Sequence, residues 1–93
     1  MKELREKLRW SQERLGVAIG IDESSSRARI SRYELGVHEP PIPTAKRIAQ
    51  AMQVPLAYLY CDDDNVGELI LSLHRLDSQR KQALIKELLN KLS

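Results

Sequence analysis

Apolar residues recur along the chain at steps of three and four, and no stretch alternates with the two-residue period of a strand. Leu4 and Leu8 mark a short first helix. Ser11 is a good N-cap for a second helix through about Ile19, because its hydroxyl can accept from a free backbone N–H in the first turn. Gly20 ends that helix, since a glycine just past the last turn takes the left-handed cap conformation without steric penalty. Residues 21–26 read as a polar turn in which Ser24, Ser25 or Ser26 could cap the next helix. That third helix runs to about Leu35, with Gly36 as its stop. The stretch HEPPIP is not helical, because its prolines lack an amide proton and restrict their neighbours. Pro43 suits the first turn of a fourth helix ending near Met52, and Pro55 opens a short fifth one through about Tyr60.

A run of carboxylates breaks the pattern at Asp62, Asp63 and Asp64. Asn65 with Glu68 three residues on has the form of a capping box, and the helix beyond places Val66, Leu69, Ile70, Leu73 and Leu76 on one stripe. Asp77 or Ser78 caps a last helix, whose Leu84, Ile85, Leu88, Leu89 and Leu92 form another stripe. The chain therefore reads as all-α, five compact helices followed by a C-terminal helical pair. The stripe of the last helix must be covered by something: this chain's own domain, a second copy or a different protein. A homodimer interface is the favoured reading.

Ninety-three residues make room for one core, and a 42% hydrophobic, 30% charged composition is that of a soluble globular chain. Phe is absent, so the core relies on Leu, Ile and Val. No apolar run approaches the ~20 residues of a membrane span, and the N-terminus alternates charge too densely for a signal peptide. A single cysteine, Cys61, excludes an internal disulfide and a Cys-rich zinc site. These features fit a small cytoplasmic protein. The net charge of +2 is unevenly spread: residues 1–60 hold ten Lys/Arg against seven Asp/Glu, and residues 61–93 hold five against six. Arg27, Arg29 and Arg32 fall within six residues, a cluster that reads as phosphate-binding or, more plainly, as a solvated helix face.

Two short helices joined by a glycine-containing turn have the form of a helix-turn-helix. The residues sharpen it. Ser11-Gln12-Glu13-Arg14-Leu15 is similar to the SQEEL of the Cro/repressor-type (XRE) family, and Ile19-Gly20-Ile21 to its LGV. Ile30-Ser31-Arg32-Tyr33-Glu34-Leu35-Gly36 is similar to ISRIERG, and Ile48-Ala49-Gln50-Ala51-Met52-Gln53-Val54 to IAKALGV. Four ordered motifs over roughly residues 1–60 make the resemblance specific; the C-terminal third lies outside it. Two departures stand out. Gly16 replaces the usual alanine, and Asp22, Glu23, Ser24 and Ser25 read as an insertion that lengthens the turn.

At 100° per residue, Ile30, Tyr33 and Glu34 share one side of the third helix. Ala28 and Arg32 lie nearly opposite, with Arg27 and Ser31 on one flank and Arg29 on the other. An outward arginine can bond bidentately to guanine O6 and N7 in a major groove, and small residues beside it allow close approach. The resemblance implies that Arg27, Ala28 and Arg32 read bases, with Arg29 on phosphate and Ser25, Ser26 and Ser31 completing the DNA-facing set. It also implies that Gln12 anchors a phosphate and can brace the recognition helix. Glu34 faces inward, where a lone carboxylate is costly, and the resemblance pairs it with Arg5 of the first helix as a structural ion pair.

Other chemistry finds little support. Asp62, Asp63 and Asp64 suit a solvated helix start better than a cation site, and His38 and His74 lack metal-ligand spacing. Cys61 has no nucleophile signature, Ser24, Ser25 and Ser26 form no nucleophile elbow, and no glycine-rich phosphate loop exists. The expectation is a protein without catalytic activity, metal or cofactor. The resemblance implies a lambda-repressor-like DNA-binding domain over residues 1–61 and an extension over residues 62–93 that could dimerise. The expected function is a sequence-specific transcriptional regulator, read as a repressor of bacterial or phage type, that binds double-stranded DNA at a near-palindromic operator. The alternative is an antitoxin whose C-terminal helices bind a toxin while the same motif represses its operon.

Overall fold

The computed structural model describes all 93 residues, and they form seven α-helices and no strand. These are α1 (Lys2–Lys7), α2 (Gln12–Ala18), α3 (Glu23–Glu34), α4 (Ile42–Ala51), α5 (Leu56–Leu59), α6 (Asp64–Arg75) and α7 (Ser78–Leu92). The first four end alike. The N–H groups of Trp10, Ile21, Val37 and Val54 reach back to the carbonyls of Arg5, Gly16, Arg32 and Ala49, the outer bond of a Schellman cap. The residue before each donor takes a positive φ: Arg9 at 59°, Gly20 at 93°, Gly36 at 75° and Gln53 at 57°. Glycine meets that requirement at two of the four positions, whereas Arg9 and Gln53 adopt it at a cost of about 1–2 kcal/mol each. At three of the four ends the reversed chain returns an apolar residue to the core: Trp10, Ile21 and Val54.

Leu4, Leu15, Ile19, Ile30, Ile48, Ala49, Met52 and Val54 form that core, so α1 to α4 all contribute. α2 and α3 pack most closely. At their crossing a Cβ on Gly16 would stand 2.8 Å from the Ser26 Cα, so the two backbones leave no space for even a methyl group. Ser26 is fully buried there, its hydroxyl directed at the carbonyls of Ile21 (3.1 Å) and Asp22 (2.9 Å).

This crossing corrects the reading of residues 21–26 as a turn. α3 begins at Glu23, and its N-cap is Asp22, whose side chain makes no capping bond. The four-residue insertion therefore lengthens the helix by about one turn instead of lengthening the turn. Ser24 and Ser25 are cap-forming residue types, but tertiary packing outweighs that local preference, and both lie exposed on the first turn.

α6 is capped by Asp63 and not by Asn65; the Asp63 Oδ1 accepts from the N–H groups of Asn65 (2.9 Å) and Val66 (3.1 Å). α6 turns Gly67 toward the Tyr58 ring of α5, with room for a Cβ at ordinary contact distance (3.5 Å), and Leu71 packs against the core. The core thus extends past residue 61. α7 is capped by Asp77, whose Oδ1 accepts from the Arg80 N–H at 2.9 Å. The expected C-terminal helical pair is present as α6 and α7. Leu76 and Asp77 are extended (ψ 152° and 160°), and no helix packs along α7. The molecule measures 49 × 24 × 23 Å, with a radius of gyration of 15.3 Å against about 12 Å for a compact chain of this length. No helix is long and apolar enough to cross a membrane.

The close crossing sets a testable expectation. Gly16→Ala improves helix propensity by roughly 1 kcal/mol, yet it forces α2 and α3 apart at a site where overpacking costs about 1–3 kcal/mol. The net outcome is a lower midpoint in urea-induced unfolding. A midpoint raised by the substitution would show that the crossing is loose.

Candidate nucleic-acid interface

The long α3 divides sharply. Ser26 and Ile30 are buried, Tyr33 and Glu34 are half-buried on the same side, and Ser25, Arg27, Ala28, Arg29 and Arg32 are exposed, with Ser31 half-buried at the margin. None of Arg27, Arg29 and Arg32 forms a salt bridge, so three guanidinium groups are free to meet an anion. Ser26 leaves the expected DNA-facing set: with no exposed surface and its hydroxyl spent on the turn carbonyls, it positions α3 from within. The early start of α3 explains the difference, because Ser26 lies in its first turn on the side that packs against Gly16 of α2 and not in a loop before it.

The rotation of α3 is fixed at its far end. Arg5 donates from Nε to Glu34 Oε2 at 2.7 Å and from Nη2 to Oε1 at 3.1 Å, a bidentate pair whose side chains are only 10% and 3% exposed. Arg5 also donates from Nη1 to the Trp10 carbonyl at 2.7 Å, which locks the α1–α2 turn. Gln12 completes the arrangement, its Nε2 donating to Glu34 Oε1 at 3.0 Å. Of the two roles foreseen for Gln12, the structure displays the brace: its amide nitrogen points inward to α3. Every buried side-chain polar atom has a partner. Burial by itself would raise the Glu34 carboxyl, but the hydrogen bonds from Arg5 and Gln12 and the Arg5 charge outweigh it and hold Glu34 below its ordinary range. The hydrogen bond to Glu34 likewise pushes Arg5 above its ordinary value, against the effect of burial.

Beside this face a cleft of about 260 Å³ separates the first turns of α3 from α4. Ser25 and Arg29 of α3 line it with Thr44 and Arg47 of α4, and Asp22 is the one acidic residue among the lining. Thr44 and Arg47 were not singled out from the sequence. The available signal was their three-residue spacing, which puts them on one side of α4, away from buried Ala45, Ile48 and Ala49. Two arginines against one aspartate leave the cleft cationic, suited to a phosphate flanking the groove. The stripe residues lie elsewhere. On α7, Leu84, Leu89 and Leu92 are exposed, and Ile85 and Leu88 are half-buried.

A second helix held by its inner face and offering an outer face of unpaired arginines defines a DNA-binding, helix-turn-helix regulator of transcription. The comparisons agree. A helix-turn-helix family model matches residues 1–59, and the chain belongs to that family, in its Cro/repressor (XRE) type. The fold is similar to the crystal structure of the transcriptional regulator BswR, with a TM-score of 0.85 and 38% sequence identity over 96% of this chain and 88% of that one. That similarity extends over α6 and α7, which the family model does not reach. A comparison with curated proteins finds no match.

The Glu34 network carries the next prediction. Removing the carboxylate in Glu34→Ala leaves Arg5 buried without its partner, at a cost of about 3–5 kcal/mol. Because the folded carboxyl lies below its ordinary value of 4.5, its contribution is complete above that value and is lost as pH falls through the folded one. Glu34→Gln lacks this contribution at every pH. Urea titrations from neutral pH to pH 3 should therefore bring wild type and Glu34→Gln closer together as acid is added; a constant gap between them contradicts the assignment.

Proposed function

We propose that the protein is a sequence-specific transcriptional repressor acting as a homodimer on a near-palindromic operator. The observation that carries this reading is the unpaired arginine face of α3, held in one orientation by the buried Glu34. Arg32 and Arg27 bond to guanine edges in the major groove, and Ala28 and Ser31 are small enough to let the helix seat there. Arg29 and Arg47, with Ser25 and Thr44, take phosphates on the groove wall. Two copies would present their α3 helices to successive major grooves about 34 Å apart. In this reading residues 1–61 bind DNA, and residues 62–93 join the protomers through Leu84, Ile85, Leu88, Leu89 and Leu92. Catalysis, metal and cofactor have no part in it, and the place of action is the cytoplasm of a bacterium or of a phage-infected cell. The likeness to a transcriptional regulator over nearly the whole of both chains favours this reading over the antitoxin alternative, in which the α7 stripe would serve a toxin.

Selection from a random duplex pool tests it directly. It should enrich a site with two-fold symmetry, and log affinity for that site should fall with log salt by about 0.9 per phosphate contacted. A folded protein that enriches nothing at low salt would overturn the proposal.

The arginines should divide their work. Arg32→Ala should reduce discrimination between operator and random DNA by about 1–3 kcal/mol, whereas Arg29→Ala and Arg47→Ala weaken binding to both alike. Titration of each variant against both duplexes checks this, and equal losses for Arg32→Ala would make it a phosphate contact.

A further inference from the structure

A second cleft, of about 450 Å³, lies at the C-terminal end of α3, where Tyr33 and Glu34 meet residues of α1, α4 and α5. None of Arg27, Arg29 and Arg32 lines it, so it is separate from the DNA-facing surface. Its volume falls within the range of small-molecule sites, about 300–1,000 Å³. Its floor is the core itself: Ala45 and Ile48 are buried, and Leu59 packs against the same cluster. Tyr33 and Tyr60 add aromatic surface. Glu3, Asp62 and Asp64 contribute carboxylates that form no salt bridge, while Lys2 is the one basic side chain of the lining. We propose that this cleft binds an organic cation, an ammonium group carried on an aromatic or aliphatic body, and that its occupancy tightens the hold of α3 on DNA.

Charge selects the sign of the occupant. Glu34 is neutralised by Arg5, and three free carboxylates against one lysine still leave the cleft anionic, which repels a carboxylate or a phosphate. The tyrosines reinforce the choice, because the negative face of an aromatic ring attracts an ammonium group. A bare metal ion is a poorer match. No three His, Cys, Asp or Glu side chains converge as ligands, and an apolar floor offers a hard cation no oxygen. The floor calls for carbon: an apolar body over Ala45, Ile48 and Leu59 leaves water while its ammonium stays among the acidic residues.

The position of the cleft couples it to α3. Tyr33 and Glu34 belong to the last turn of that helix, so a molecule lodged here touches the element whose rotation decides which arginines look outward. The same molecule spans α1, α4 and α5 and favours the arrangement in which Glu34 receives Arg5 and Gln12. Binding that prefers this arrangement strengthens DNA binding, and by linkage DNA strengthens the ligand in equal proportion. The coupling rests on the DNA-binding reading above; the site does not.

Phenethylammonium and phenylacetate share an aromatic body and differ in the sign of their charge. Each is titrated into the full chain and followed by amide chemical shifts. The ammonium should give saturable shifts at Tyr33, Ile48 and Tyr60, and phenylacetate should bind at least about tenfold more weakly. Equal affinity for the two probes, or no saturable shift with the ammonium, overturns the site. Asp62→Asn combined with Asp64→Asn should weaken the ammonium and narrow the difference between the probes, with unchanged helical circular dichroism. Tyr60→Ala, which leaves the carboxylates in place, should weaken the ammonium by itself; unaltered binding in both variants places the probe elsewhere and overturns the assignment. Operator affinity at constant ionic strength should rise about fivefold with saturating phenethylammonium in the wild type and stay level in the double variant. Binding that leaves operator affinity unchanged overturns the effector role. A protein that binds no DNA removes the function proposed above, and the shift titration still decides the site.

Discussion

A buried carboxylate must be met by donors, and at Glu34 the donors come from two other helices. Arg5 approaches from α1 and Gln12 from the first residue of α2, while Arg5 also holds the turn that joins them. Both carboxylate oxygens are engaged, and their acceptor directions fix how the end of α3 is turned relative to α1 and α2. An apolar substitute could fill the same volume with comparable stability, since burying two charges largely offsets their attraction. Greasy contacts are non-directional, however, and would tolerate a modest roll of the helix. What the ion pair adds is registry, and registry is what decides which side chains of α3 face outward.

The opposite end of α3 is held by contact instead of charge. Gly16 provides a recess in α2, and Ser26 fills it with its own polar atom satisfied against the turn. The two constraints lie eight residues apart on the same face, slightly more than two turns, so together they define an axis as well as a rotation. Gly16 is accordingly more than a small residue tolerated at a crossing. Its missing Cβ is the complement of the serine that α3 turns into the interior.

Helix ends in residues 1–60 were legible because Gly20, Gly36 and the prolines act locally, and the outward face of α3 was legible because 100° per residue needs no tertiary information. The failures share a cause. Ser24, Ser25 and Ser26 are good capping residues, so a local reading halts the helix before them, whereas the recess at Gly16 that rewards helix here belongs to another element. Asn65 was preferred to Asp63 by the same local logic, although both can cap and only the chain's path from α5 decides. Arg47 escaped notice because its partner across the cleft, Arg29, is 18 residues away. The independence of α7 was equally hidden: a stripe on a helix states that a neighbour exists and does not say which one.

The extra turn at the start of α3 limits how the length of this segment can change. The chain leaves α2 through Gly20 and must enter α3 heading in one direction, while Glu34 fixes the helix beyond. Residues can therefore be gained or lost only in numbers that bring the backbone round to about the same azimuth. Four residues overshoot a full turn by about 40°, and seven fall about 20° short of two turns; either can be absorbed at the cap. Two residues would leave the helix entrance about 200° out of phase, against the closed side of the crossing. Allowed lengths of the recognition helix in proteins of this architecture are thus quantised by the helical repeat. Each permitted step extends its reach by about 6–10 Å without disturbing which arginines look outward.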